Sequence, residues 1–167
     1  MAETVELIVE DARWDETDLS RLAPQAVAAA LSAAGVSADV EVSILACGDD
    51  RIATLNSRFR GKSSATNVLS WPALDLFPDA PGGAPSTEIP PDPFGETALG
   101  DIAIALETVV AEAQAGGIPL EHHIFHLILH AALHLLGYDH QTDADAAVME
   151  GLEIAALAKA GIASPYE

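Results

Sequence analysis

The sequence lacks the marks of several protein classes. Among its 167 residues there is one cysteine, Cys47, which excludes a disulfide framework and a cysteine-based metal cluster. The longest apolar run, Ile124 to Leu136, is too short to span a bilayer and is interrupted by histidines. The first residues contain no basic segment followed by an apolar one. We therefore expect a cytoplasmic protein that does not bind membranes.

Basic residues are also scarce. Seven Lys and Arg stand against 26 Asp and Glu, for a formal net charge of −19, which taken over the whole chain argues against a nucleic-acid partner. Four of the seven fall on one predicted helix and just after it: Arg51, Arg58, Arg60 and Lys62. If that helix borders a functional site, the protein has one locally basic face on an otherwise acidic surface. The alternative is a solvated helix face that offsets neighbouring acids.

Half of the residues are hydrophobic, and this excludes a disordered chain despite the charge. At 17.3 kDa the chain has the size of one domain with its own core, so we predict a single domain over residues 1–167. Strand and helix patterns alternate at first and only helices follow. This order predicts an α+β fold, a small mixed four-stranded sheet with helices packed on it. Cys47 is predicted to be a small buried strand residue.

Hydrophobic periodicity predicts the individual elements. The predicted strands are 5–9, 39–47, 66–71 and 99–106. The predicted helices are 18–31, a short helix after residue 49, 106–115, 119–136 and 142–160. Asp18 is expected to cap the first helix and Gly35 to end it, whereas Asp49 or Asp50 is expected to cap the second. Phe59 lies at core spacing in that second helix and is expected to be buried; stacking on a base is the alternative.

A segment rich in proline and glycine separates the third and fourth strands. Six prolines and two adjacent glycines fall between Ala73 and Ala98, so this segment cannot form a hydrogen-bonded ladder. It is too long for an ordinary connection, and we predict one mobile loop over about 73–98. The strand beyond it has no separate core to join, which argues against a domain boundary.

All six histidines lie between residues 122 and 140. On the predicted helix His126, His130 and His134 fall within a stripe roughly 80° wide, and the rest of the helix is almost entirely apolar. Two histidines four residues apart can hold one metal ion. Histidines eight residues apart cannot, because about 12 Å of helix rise separates them while each Zn–N bond is only about 2 Å long. The helix therefore supplies two ligands, and a third must come from elsewhere.

The turn after the helix favours one of the two possible pairs. Gly137 can end the helix and turn the chain back, and His140 follows it. This favours His130 and His134 with His140 as third ligand, over His126 with His130. Three neutral imidazoles leave one position open, the arrangement of a catalytic zinc site. The remaining histidines are assigned to packing, capping or holding a ligand in place: His122, His123 and His126.

The same spacing, H-x-x-x-H-x-x-G-x-x-H, is that of the metzincin proteases. Those enzymes carry a glutamate base directly after the first histidine, where this sequence has Ala131. A metalloprotease-like hydrolase is therefore the least favoured interpretation of the motif.

The segment from His130 to His140, HAALHLLGYDH, resembles the HGxLHLxGYDH signature of the YbeY-type endoribonucleases, the bacterial rRNA maturation factors. The main departure is Ala131, which stands where the family has glycine. Further blocks resemble the family along the chain: Leu55-Asn56, Arg60 to Lys62, Thr66 to Pro72, Leu99 to Ile102, Met149-Glu150, Glu153, Gly161-Ile162 and Pro165-Tyr166.

The resemblance implies a single-strand-specific RNA hydrolase with one zinc ion, acting in maturation of the 3′ end of 16S rRNA and in ribosome quality control. It implies His130, His134 and His140 as the metal ligands and Arg60 as a catalytic residue. The implied partners are single-stranded rRNA, a ribosome or small-subunit precursor, and ribosomal proteins. A non-catalytic, metal-binding ribosome-assembly factor is the alternative.

These residues suit phosphodiester chemistry. A guanidinium such as that of Arg60 can bind two phosphate oxygens at once and stabilise the negative charge that builds up there. No protein base is evident, so we expect a metal-activated water or a 2′-hydroxyl of the RNA to be the nucleophile. Asp139 either orients the neighbouring His140 or serves as a turn residue, and the sequence leaves both roles open.

Overall fold

The computed structural model describes residues 3–62 and 64–166. The strands are β1 (Glu3–Val9), β2 (Val40–Cys47), β3 (Val68–Pro72) and β4 (Thr97–Ala105). The helices are α1 (Leu19–Ala34), α2 (Asp49–Arg60), α3 (Leu106–Gly116), α4 (Leu120–Leu135) and α5 (Asp143–Lys159). Their types and order are those predicted. None of the described helices is both long and apolar enough to cross a membrane.

The four strands form one mixed sheet in the order β1-β2-β4-β3, which confirms the predicted α+β class. β1, β2 and β4 are parallel, and β3 pairs antiparallel with β4, with Ser70 opposite Ile102. α1 crosses from β1 to β2, as a parallel pair requires. β3 is thus an edge strand, and its last residue, Pro72, is tolerated there because an edge position needs no ladder hydrogen bond.

The main core lies between α1, α4 and one face of the sheet. Alternate residues of β2, Val40, Val42 and Ile44, are fully buried on this face. A smaller cluster on the opposite face lies under α2 and contains Cys47 and Ile52. Cys47 is 0% exposed, as predicted, and burial raises the pKa of its thiol to about 12.

Two details of α2 differ from the prediction. Gly48, not Asp49 or Asp50, is the N-cap residue of α2. Asp49 instead accepts hydrogen bonds from the backbone N–H and the hydroxyl of Thr108, at 3.1 and 2.8 Å, and so stabilises the start of α3. At the other end of α2, Phe59 is 59% exposed and meets the edge of Trp71 at a centroid distance of 5.8 Å. The expectation of a buried Phe59 was wrong because α2 covers only part of this face of the sheet.

The C-terminal end of α1 agrees with the prediction from the sequence more fully than its N-terminal end does. Gly35 adopts a left-handed conformation (φ 70°) and ends the helix, as predicted. Asp18 occupies the N-cap position, but its side chain makes no capping hydrogen bond and accepts one from Arg21 instead. Before α1, a 3-10 helix that the sequence patterns did not indicate spans Ala12–Glu16. It places the indole of Trp14 in the core, where Nε1 donates to the Cys47 carbonyl at 2.8 Å.

Residues 73–96 are irregular apart from an isolated bridge between Asp92 and Gly95, and the last two residues of the predicted loop, Thr97 and Ala98, belong to β4. It packs against the domain through Leu76, which is 5% exposed, and through a hydrogen bond from Gly82 N to Asp145 Oδ1 at 2.8 Å. Part of the loop is therefore anchored beside the turn that follows α4. Its mobility stays a prediction.

Gly137 is the residue on which the loop and this turn meet, and we expect its replacement by alanine to destabilise the protein. Its φ is +104°, and an added Cβ would lie 2.6 Å from the Leu76 carbonyl oxygen. Backbone strain and overpacking together should lower the free energy of unfolding by roughly 2–4 kcal/mol in a denaturant titration. Gly117→Ala is the matched control because a Cβ there meets nothing within 4 Å (φ +63°), so we expect a loss of only about 1 kcal/mol. Equal losses would contradict the close contact.

Candidate active site

A cleft of about 540 Å³ lies between α4, β3 and the turn after α4. The four residues singled out from the sequence all line it: Arg60, His130, His134 and His140. His130 and His134 lie on successive turns of α4, and the turn at Gly137 brings His140 back toward them. Arg60, the last residue of α2, extends into the cleft from the other side. Ala131, the departure from the family signature, is buried in α4 and also lines the cleft.

The imidazole of His134 is held by the backbone that follows it. Its Nδ1 lies 3.0 Å from the Tyr138 carbonyl oxygen, and because a carbonyl only accepts, the proton is on Nδ1. The Nε2 lone pair is therefore left for another partner. Burial lowers the pKa of His134, and the bond to Tyr138 opposes this only in part, so the ring is neutral near pH 7. Phe77 of the 73–98 loop contacts this ring edge-on at a centroid distance of 5.4 Å.

His130 is held in the same way, but by a side chain. Its Nδ1 lies 3.1 Å from Glu153 Oε1, which again leaves Nε2 as the free nitrogen. Its ring stacks on that of His140, with centroids 5.5 Å apart and planes inclined by 29°. His140 is exposed, and its backbone N–H donates to Asp139 Oδ1 at 2.8 Å. The observed contact of Asp139 is thus a turn contact.

The side chains of the cleft are of the types that bind a metal ion, but their arrangement in this structure is not that of a complete metal site. Within the described ranges, 3–62 and 64–166, no three His, Cys, Asp or Glu side chains are arranged so that they hold an ion. Two imidazoles nevertheless keep a free Nε2, and a third ring faces one of them across a stack. Because stacked rings do not converge on one point, the exposed His140 must reorient for three nitrogens to meet an ion.

Arg60 lies at the edge of the sheet. Its Nη2 donates to the Ser70 carbonyl of β3 at 3.0 Å, while the residue as a whole is exposed. In the described part of the chain it forms no ion pair, so its other N–H groups remain available for a ligand. The predicted basic face reaches the cleft only at this end of α2. Arg51, at the opposite end, pairs with Glu10 at 3.4 Å.

Glu153 on α5 is the site residue whose role the sequence reasoning missed. Its Oε1 lies 2.7 Å from His126 Nε2 and 3.1 Å from His130 Nδ1, and the Tyr166 hydroxyl donates to the same carboxylate at 3.1 Å. Burial by itself raises the pKa of Glu153, but the hydrogen bonds with the two histidines outweigh it and lower the pKa to about 2. The sequence feature that could have identified Glu153 as a buried site residue is its position on the apolar face of α5, one turn before Ala156 and Leu157.

A second polar network meets the cleft at Asn67. His123 Nε2 lies 2.9 Å from Glu112 Oε1, and Asn67 Nδ2 donates to the same oxygen at 3.0 Å. Asn67 also accepts a hydrogen bond from Val68 N at 2.7 Å and lines the cleft. This network ties α3 and α4 to the start of β3.

Comparison with known proteins agrees with this fold. The model of one family, described as "Endoribonuclease YbeY", matches residues 5–161. Two relatives carry the same description. One, from Dinoroseobacter shibae, is 57% identical over 98% of this chain and 91% of its own length. The other, from Ruegeria pomeroyi, is 51% identical over 98% of both chains. The solution structure of TM1509 from Thermotoga maritima is similar in fold, with a TM-score of 0.52 at 18% identity, covering 95% of this chain and 92% of that one.

The family match and the relatives define the class, that of the nuclease hydrolases. Within that class the chain belongs to the YbeY family of endoribonucleases, over nearly its full length.

Proposed function

We propose that this protein is a zinc-dependent endoribonuclease that cleaves single-stranded RNA, and that it acts in the cytoplasm in 16S rRNA 3′-end maturation and ribosome quality control. The observation that carries the proposal is the shared cleft of Arg60, His130, His134 and His140. Membership of the YbeY family supports the RNA substrate. The ribosomal role rests on the resemblance of the His130–His140 signature to the rRNA maturation factors.

The metal would be held by the three histidines. In His130 and His134 the hydrogen bonds at Nδ1 leave Nε2 as the nitrogen that would bind the metal, and metal binding requires the neutral imidazole. Zinc bound there supplies Lewis acidity toward a phosphoryl oxygen and lowers the pKa of water. His140 would complete the set from the exposed segment after Gly137, and a fourth position remains for substrate or solvent.

Arg60 would bind the scissile phosphate. Its bond to Ser70 O holds one nitrogen of the guanidinium against β3, and the remaining N–H groups can donate to phosphate oxygens. As the phosphodiester is attacked, negative charge increases on these oxygens, and a cation already in place stabilises that charge without reorganisation.

The acidic surface would select the form of the RNA. A long duplex would lie across a body with a formal net charge of −19, whereas a short single strand can enter the cleft and meet Arg60 alone. We therefore propose that the substrate is a single-stranded rRNA segment presented by a ribosome or small-subunit precursor. Ribosomal proteins, which are basic, would be compatible partners for the acidic surface outside the cleft.

The test combines metal analysis of the purified protein with cleavage of a defined RNA. We expect one zinc ion per chain, and cleavage of the single strand at least about tenfold faster than the same strand in a duplex, because unpairing costs a few kcal/mol. A chelator should stop cleavage and added zinc should restore it. Metal-independent binding to ribosomal particles without turnover would favour an assembly factor, and cleavage of a peptide substrate would favour a protease.

A further inference from the structure

Glu153 is a buried carboxylate whose basic partners, among the described residues, are two histidines and no Lys or Arg. Its side chain is 0% exposed on the face of α5 that packs against α4. In the described part of the chain no Lys or Arg forms an ion pair with it, and its contacts are with two imidazoles and a phenol. An isolated buried charge is strongly unfavourable, so a carboxylate kept in this environment requires positive charge nearby.

The hydrogen bonds of this carboxylate divide the histidines of α4 into two kinds. Glu153 Oε1 contacts His126 through Nε2 and His130 through Nδ1. Since an anionic carboxylate only accepts, each of these nitrogens carries a proton. His126 is thereby turned toward α5 with its Nε2 occupied, whereas His130 is left with its Nε2 free on the side of the cleft.

The C-terminal segment holds the carboxylate in turn. Tyr166 donates its hydroxyl to both oxygens of Glu153 at 3.1 Å, and its ring meets His126 edge-on at a centroid distance of 5.9 Å. Each oxygen of Glu153 therefore has a protein partner, which restricts rotation of the carboxylate.

We propose that Glu153 is a positioning residue for the metal centre: it orients His130 through Nδ1, keeps His126 out of the ligand set, and supplies the negative charge that favours a divalent cation. The inference rests on the proposed function, because it assumes that His130 binds the metal. Carboxylates that accept a hydrogen bond from a metal-binding histidine fix its orientation and strengthen it as a ligand.

Zinc affinity provides the test, measured by chelator competition on Glu153→Gln and Glu153→Ala. Glutamine keeps an acceptor oxygen and removes the charge, whereas alanine removes both. We expect zinc binding to weaken about tenfold in Glu153→Gln and about 100-fold in Glu153→Ala. The matched control is Glu150→Gln, the same charge loss three residues earlier on α5, and its affinity should stay within about twofold of the wild type.

Absorption spectra of the cobalt-substituted proteins separate positioning from a purely structural role. Altered orientation of His130 should change the cobalt bands of the Glu153 variants, whereas loss of packing alone would lower the stability of the metal-free proteins and leave the bands of the folded fraction unchanged. Should the Glu153 variants fail to fold, Tyr166→Phe carries the test, with an expected weakening of about threefold.

The outcomes distinguish the two proposals. Wild-type zinc affinity and an unchanged cobalt spectrum in a folded Glu153 variant, or in Tyr166→Phe where that variant carries the test, would overturn the inference and leave the metal site standing. A wild-type protein that binds no stoichiometric metal would overturn both the inference and the proposed function.

Discussion

His134→Ala should abolish RNA cleavage while the domain remains folded. The change removes a nitrogen donor from the middle of the candidate ligand set, and a metal contribution of several kcal/mol corresponds to a rate loss of about 10³-fold or more. The native contacts that are lost are the hydrogen bond to the Tyr138 carbonyl and the edge contact with Phe77. Cleavage rate, zinc content and circular dichroism of the same preparation measure the three effects together.

His122→Ala is the matched control for this prediction. His122 lies in the first turns of the same helix but borders a different, smaller cavity beside Pro119 and Ile162, away from the cleft. Its replacement removes an imidazole of equal size and should leave both cleavage and zinc content within about twofold of the wild type. If His134→Ala kept wild-type cleavage, the three-histidine centre would be refuted.

Arg60→Ala should lower the cleavage rate by about 10²- to 10³-fold without loss of zinc, because removal of one preorganised donor to the developing charge has an effect of this size. Arg60→Lys should recover only part of the rate, since an ammonium group cannot bind two phosphate oxygens in the way a guanidinium can. Single-turnover cleavage and metal analysis of the variants measure the two effects separately.

Arg58→Ala controls for the loss of one positive charge on the same helix. Arg58 is exposed and lies outside the cleft, so its removal should reduce cleavage by no more than about threefold. An equal loss in Arg58→Ala and Arg60→Ala would mean that general attraction of RNA, and not contact with the scissile phosphate, explains the basic cluster.

The charge of the protein has to be considered locally. Three of the seven basic residues form ion pairs with acids: Arg13, Arg21 and Arg51. Among the described residues, Arg58, Arg60 and Lys62 form none, and they lie together at the end of α2 that borders the cleft. Of these three, Arg60 lines the cleft. The scarcity of cations in the composition therefore does not exclude an RNA substrate, because a cation without an acidic partner among the described residues lies where the proposed phosphate would bind.

Much of the fold follows from local sequence patterns. Apolar periodicity predicted the order of strands and helices, and Gly35 and Gly137 were recognised as turn positions because a positive φ favours glycine. The errors at Asp49 and Phe59 have one cause. Local patterns indicate that a side chain is able to cap a helix or to be buried, but its actual partner is set by elements distant in sequence, here α3 for Asp49 and the incompletely covered sheet for Phe59.

The candidate site shows the same division. Local sequence was enough to predict the histidine stripe, the turn at Gly137 and the return of His140, because helix periodicity and glycine conformation are properties of neighbouring residues. The hydrogen-bond partner of each imidazole depends instead on tertiary contacts. Glu153 lies 23 residues after His130 and 27 after His126, and the packing of α5 against α4 brings its carboxylate between them. That contact occupies the Nε2 of His126 and leaves the Nε2 of His130 free, a distinction that no spacing along one helix encodes.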